Sequence, residues 1–300
     1  MADLAGFFLT YQSLFAFIGL NGLLALSVYC TLCCGQLSLA NAGFMAIGAY
    51  AGALLTQNAH APYPLALLAG ALLPALIAVP LGLPVLRLRG VFLAIATIGF
   101  GEVVRLGFVN WSYTNGALGL VAIPQRTQPW MIWVALAVVM FALARLRGSR
   151  AGYALEAIRE DEAAARSMGI PSTRYKLSMF VAGAAIAGFA GALEAHLTYM
   201  VAPNGYGFSR AVDMLVYAVV GGDTVFYGPV VGAAFLTVLP EALRGGARAL
   251  GLSPGPLRMF LNGAILLAVI LFLPNGIVSL PRTLRALRLR KASRAALGCG

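Results

Sequence analysis

Apolar positions run almost unbroken along this chain, and the polar breaks between them are short. From Tyr11 to Leu86 there is no Asp, Glu, Lys or Arg, and only His60 interrupts the run. Apolar segments fall at about 14–34, 36–56, 64–86, 91–111, 129–147, 177–198, 212–222, 228–243 and 257–273. Seven of them are long enough to cross a hydrocarbon core of roughly 30 Å as helices. The pair 212–222 and 228–243 is shorter, and a glycine-rich turn separates its members, so it reads as a hairpin of half-length helices. The continuity of the runs excludes a β-barrel, whose strands would alternate apolar and polar side chains. The expected fold is an all-α polytopic membrane protein with about eight or nine transmembrane or half-length helices. It forms one transmembrane domain over 1–280, with a basic tail over 281–300.

Composition strengthens this reading. Of 300 residues, 60% are hydrophobic and 10% are charged, and the mean hydropathy is +0.86. A soluble domain carries roughly a quarter charged residues. The net charge of +11 lies between the apolar spans and in the tail rather than on a soluble basic module, which points to topology and lipid headgroups, not nucleic acid. The loops Arg87–Arg89 and Arg145–Lys176 and the tail after Leu280 hold two, seven and six basic residues, or 15 of the 21 Lys and Arg. The positive-inside rule makes that side cytoplasmic. The N-terminus lacks a basic n-region and a small-residue cleavage site, so its apolar segment is expected to stay as a span. Cys30, Cys33 and Cys34 read as small hydrophobes within a span rather than as ligands.

The densest charge lies in "LEAIREDEAAARSMGIPS", residues 155–172, which holds four of the ten acidic residues of the chain. The spacing predicts an amphipathic helix outside the membrane, with Leu155, Ile158, Ala165 and Met168 on one side. Gly169 is placed as its C′ residue, and Pro171 ends it. Such a helix can seat its apolar side in a partner's groove.

Two polar, glycine-rich interruptions within apolar sequence are candidate pathway elements. One is "QLSLANAGF", with Gln36, Ser38, Asn41 and Gly43. The other is "GGDTVFYGP", with Gly221, Gly222, Asp223 and Thr224. The competing explanation is close helix packing, since Gly48/Gly52 and Gly228/Gly232 have small-xxx-small spacing. Glu102 and Arg105, three apart on the fourth span, are expected to pair on one face. Glu194 and His196 sit at the outer end of a later span, where a lone His serves as a hydrogen-bonded anchor rather than a metal ligand.

At this point the chain resembles a known family. "REDEAAARSMGI" is similar to the cytoplasmic EAA loop of ABC importer permeases. The order of "GQLSLANAGFMAIGAYAGALL", "RGVFLAIATIGFGEVVRL", "GYALEAIREDEAAARSMGIPSTRYKL", "GGDTVFYGPVVGA" and "LFLPNGI" resembles the LivM-type permeases of branched-chain (hydrophobic) amino-acid uptake. The chain departs from the EAA pattern by one residue: with Gly169 fixed, the Glu position falls on Ala163. The resemblance implies that Leu155, Glu156, Ile158, Arg159, Glu160, Glu162, Ala164, Ala165 and Gly169 couple to an ATPase subunit. It also implies a second homologous permease, two cytoplasmic ATPase subunits, a soluble binding protein outside, and a place in the bacterial inner membrane.

Absent chemistry agrees. Lys176 and Lys291 are the only lysines, and neither belongs to a G-x-x-x-x-G-K-[ST] phosphate loop. No cofactor is expected on this chain, so ATP and Mg would sit on the partner. No constellation suggests an enzyme. Branched-chain amino acids lead as cargo, with other small amino acids, urea or small amides as alternatives. An ion-coupled secondary transporter is the alternative class.

Overall fold

The computed structural model describes residues 2–88, 90–222 and 225–249, with side chains placed from Gln12 to Leu239 within them. Everything regular in it is helical apart from one isolated bridge between Leu120 and Val201. The helices are α1 (Ala2–Leu32), α2 (Asn41–Gln57), α3 (Tyr63–Val85), α4 (Val91–Asn110), α5 (Pro129–Arg147), α6 (Arg150–Glu160), α7 (Glu162–Ser167), α8 (Ser172–Thr198), α9 (Phe208–Gly221) and α10 (Gly228–Ala249). Five stretches are long and apolar enough to cross a membrane: Gln12–Leu32, Tyr63–Val85, Val91–Asn110, Pro129–Arg147 and Ser172–Thr198. The expected span at 257–273 and the tail lie outside the described residues.

The core is built on α8, which packs against α1, α2 and α3. Small residues make this possible, because without a hydrophobic force between helices in lipid, association depends on close van der Waals approach. A side chain at Gly48 would strike the Gly188 backbone, one at Gly191 would strike Met45, and one at Gly188 would strike Gly70 and Pro74. The α2, α3 and α8 backbones therefore meet through glycine. Pro74, Pro80 and Pro84 lie inside α3 without breaking it, as membrane helices allow when neighbours re-satisfy the freed backbone.

The expected span at 36–56 begins later than its hydropathy suggests. Residues 36–40 are non-helical, and α2 starts at Asn41. The expected pair of half-length helices is unequal: α9 has 14 residues, whereas α10 runs on to Ala249 and has 22. They form an antiparallel hairpin, with Gly232 against Tyr217 and Gly221 against Gly228. At one end of the bundle are Arg87, Arg145, Arg147, Arg150, Arg159, Arg166, Arg174 and Lys176, and at the other are Arg105, Arg126 and Arg210. The positive-inside rule makes the first end cytoplasmic.

Candidate functional site

The cytoplasmic charged stretch is two helices, not one. Asp161 has an extended backbone, and its carboxylate accepts from the Ala163 and Ala164 amides at 2.8 and 3.0 Å. It thus caps α7 at the point where α6 stops. An acidic residue followed by "EAAA" is a capping signal, and it is the cue that a single helical reading of 155–169 passes over. Gly169 adopts φ +82°, a left-handed C′ conformation that a glycine takes without steric cost. Ser149 caps α6 by accepting from the Gly152 amide.

The break redistributes the faces. Leu155, Ile158 and Ala165 are buried, against this chain's own helices, because α6 packs on α5 and α8, and α7 on α8. Met168 is not with them and is 82% exposed. The apolar side is therefore already occupied. What faces outward includes Tyr153, Glu156, Glu160, Asp161, Ala163, Ala164, Arg166 and Met168. Arg159 and Glu162 are intermediate.

Glu162 holds this element to the bundle. Its carboxylate meets Lys176 at 2.8 Å and Arg166 at 2.6 Å, and accepts from the Ser172 hydroxyl at 3.2 Å. Arg166 Nε in turn donates to the Ser172 Oγ at 2.7 Å. Burial works to raise the Glu162 pKa, yet the hydrogen bond and charge of Lys176, with Arg166 and Ser172, outweigh it and hold the carboxyl below its ordinary value. Lys176 and Ser172, both on the first turns of α8, are buried. Sequence reasoning marked Glu162 without these partners. A lysine at the mouth of an apolar span, ten residues past Arg166, was the available signal.

Of the pathway candidates, Gln36, Ser38 and Asn41 are all buried. Asn41 donates to the Ser27 Oγ at 2.8 Å, and the Leu39 amide donates to the Thr97 hydroxyl at 3.0 Å. Thr97 of α4 thus satisfies an amide of the non-helical segment, and Ser27 of α1 holds the side chain of the first residue of α2. The Gln36 Oε1 is buried without a hydrogen-bond partner among the described residues. Gly43 meets Gly101 and the Phe100 ring, where a Cβ would stand 3.1–3.2 Å from them. Gly221 and Gly222 sit at the tip of α9, where Gly221 packs on α10 and Gly222 takes φ +101°. α9 touches both α1 and α2, so the two clusters belong to neighbouring elements. Asp223 and Thr224 lie outside the described residues.

At the opposite end, Glu102 and Arg105 pair at 2.7 Å. The pair is also a clasp, since Glu102 accepts from the Phe208 amide at 3.0 Å and Arg105 donates to Asn204 at 3.2 Å. Glu194 pairs with Arg210 at 3.1 Å. Together these hold the start of α9 to α4 and α8. His196 is fully buried, bonded to Thr56 at 3.0 Å and to the Ala192 carbonyl at 2.7 Å. Among the described residues no group of three His, Cys, Asp or Glu could hold a metal ion.

The family described as branched-chain amino acid transport system / permease component matches residues 10–270. The chain belongs to this permease family. Two relatives carry the name high-affinity branched-chain amino acid transport system permease protein LivM. The one from Salmonella typhimurium is 33% identical over 88% of this chain and 67% of its own length. The one from Escherichia coli K12 is 32% identical over 92% and 69%. The solved structure titled PsaBC from Streptococcus pneumoniae in complex with Fab aligns over 90% of this chain and 94% of its own, at a TM-score of 0.48 and 15% identity. The permease is a multi-pass membrane component of a transport system and not an enzyme.

Proposed function

We propose that this permease is the membrane subunit of an ATP-driven importer of the bacterial inner membrane, moving branched-chain or other small hydrophobic amino acids. Its working set would include a second, homologous permease, two cytoplasmic ATPase subunits and a soluble binding protein on the outer side. The observation that carries the reading is the tie between α7 and α8. An ATPase seated on the outward face of α6–α7 would act through Glu162, Lys176 and Ser172 on α8, the helix around which α1, α2 and α3 pack. A push on a small charged element would so reach the centre of the bundle, with Asp161 as the joint. The cargo rests on the relatives' names and on the apolar character of the bundle. The clasp of Glu102 by Arg105 speaks against an ion-coupled mechanism, which needs an acid free to titrate.

Ala164 offers a clean test, because its side chain is exposed on α7 and supports nothing in the fold. Ala164→Arg should leave the permease inserted and monodisperse, yet remove copurifying ATPase and reduce leucine uptake at least tenfold. Normal uptake with the ATPase still bound would sink the docking role.

A further inference from the structure

Three free cysteines mark the cytoplasmic end of α1, and their thiols are not placed alike. Cys30 lies inside the helix and is fully buried, whereas Cys33 and Cys34 sit in the turn that follows Leu32, the last residue of the span. The amides of Cys34 and Gln36 both donate to the Thr31 carbonyl, which closes the helix over Gly35 at φ +71°. Sulfur takes the Cys30 carbonyl: Cys33 Sγ donates to it at 3.0 Å and Cys34 Sγ at 3.8 Å. The two sulfurs thus converge on one oxygen, and the Cys34 thiol is within hydrogen-bond reach of Cys33. Of the pair, Cys33 is the open one. It is half-buried and lines a cavity of about 320 Å³ between α6 and the cytoplasmic ends of α1, α5 and α8, while Cys34 is 2% exposed.

Their surroundings push the two thiols apart. The hydrogen bond from Cys34 lowers the Cys33 pKa, and burial opposes it. Of the charges at the cavity rim, which are of both signs, those of Arg159 and Arg147 lower it further. The same hydrogen bond, together with burial, raises the Cys34 pKa, so Cys34 keeps its proton. A thiolate facing a small cavity, with a protonated thiol beside it, suits attack on two-electron oxidants. We infer that Cys33 and Cys34 form a modification site, oxidised by hydroperoxides to a disulfide between the two neighbours. The Cys33 sulfur attacks the peroxide: an S–O bond forms, the O–O bond breaks, and the departing oxygen takes a proton to leave as water or alcohol. The Cys34 sulfur then attacks Cys33. An S–S bond forms, the S–O bond breaks, and hydroxide leaves as water with the Cys34 proton. The pair loses two electrons and the peroxide gains them; a dithiol reverses the change by exchange. Closing this ring reshapes a turn that abuts α6, since a Cβ at Gly35 would stand 3.6 Å from the Arg159 Cα. Oxidation would therefore alter the seat of the element on which the ATPase is proposed to act, and lower uptake. That consequence rests on the transport reading; the modification site does not.

The complete transporter in nanodiscs is treated with hydrogen peroxide, then alkylated with N-ethylmaleimide, and its cysteine peptides are followed by mass spectrometry. Cys33 and Cys34 should lose their alkylation together, their peptide should be lighter by two hydrogens, and dithiothreitol should restore both. Cys33 should be oxidised at least fivefold faster than Cys299. Cys34→Ser should stop at a Cys33 sulfenic acid that dimedone traps. Cys33→Ser should slow oxidation of Cys34 at least tenfold, and Cys30→Ser should leave the disulfide intact. Oxidation of Cys33 no faster than that of Cys299, or a disulfide that joins Cys33 to Cys30 or to another chain, overturns the site. Leucine uptake is measured on the same preparation, where peroxide should lower it at least threefold and dithiothreitol should restore it. A disulfide with unchanged uptake keeps the site and sinks its effect on transport. A disulfide in a preparation that takes up no leucine before oxidation keeps the site and sinks the cargo.

Discussion

α1 and α5 are nearly equal in mean hydropathy, yet 83% of the α1 window is buried inside the protein and only 17% of the α5 window. Hydropathy reports whether a segment belongs in the membrane, not whether it faces lipid or protein, because a lipid tail is as apolar as a leucine. What separates the two is position: α1 is surrounded by α5, α8, α9 and α10, whereas α5 packs on α1 and α6. α1 offers Gly19 and Gly22 to Ile132 and Leu136 of α5, and Ser27 to Gly183 of α8. α5 meets α1 along a narrow stripe of Ile132 and Leu136 and exposes Val134, Val138 and Phe141 to the outside. Glycine marks the places where two backbones come closest, while large side chains such as Leu20, Leu23, Phe44 and Phe180 fill the rest of the core.

The strongest challenge to that contrast is a large residue in a seam. Gly48→Leu would force its side chain into the Gly188 backbone, which a flexible neighbour cannot relieve. The cost should exceed the roughly 1–3 kcal/mol of ordinary overpacking, and the protein should fail to give a monodisperse peak after solubilisation. A normal peak would mean that α2 and α8 do not meet through their glycines. Next comes the stripe on α5. Leu136→Ala should cost roughly 1–3 kcal/mol, at the low side of the range for buried leucine because the reference state in lipid is also apolar, visible as a melting temperature lower by several degrees in detergent.

A smaller effect is expected where the bundle meets water. Glu162→Gln keeps the shape but removes the charge that Lys176 and Arg166 pair with. The melting temperature should fall by a few degrees at pH 7, with a larger loss in uptake if α7 drives α8. The pH dependence has a definite sign. The Glu162 carboxyl is held below its ordinary value of 4.5, so its contribution is fully present above that pH and is lost as pH falls through the lower folded value. The difference in melting temperature between the protein and Glu162→Gln should be constant from pH 8 to 5 and shrink below about pH 4.5. A difference that grows on acidification would contradict the pairing. The smallest effect belongs to the lipid-facing side. Val138→Leu, at a site 61% exposed, should leave melting and uptake unchanged, and a clear loss would show that this face is covered by another subunit.

Much was legible in the chain before any coordinates. The long apolar runs gave away the class, the distribution of Arg and Lys sorted the two ends of the bundle, and Gly169 with Pro171 marked the end of the charged segment. Glu102 and Arg105 could be paired from their spacing, because a helix brings residues three apart onto one face. The glycine clusters could be found but not interpreted. Only the packing shows that Gly48 and Gly221 serve backbone contact with Gly188 and Gly228, while Asn41 bonds Ser27 of α1, the Leu39 amide bonds Thr97 of α4, and Ser38 accepts from the Ala40 amide within the non-helical segment.

What the sequence determined by itself depends on local chemistry: solvent class, helical period, the stop at Gly169 and the distribution of charge along the chain. Tertiary structure decided which face of α6 and α7 is free, that Glu162 reaches Lys176 and Ser172 across the joint at Asp161, and that a small cavity of mixed charge forms beneath α6. Those outcomes depend on the angle between elements, and in a chain this apolar many angles bury equal surface. The choice among them falls to backbone contacts through glycine and to a handful of buried polar pairs, which act between residues far apart in sequence.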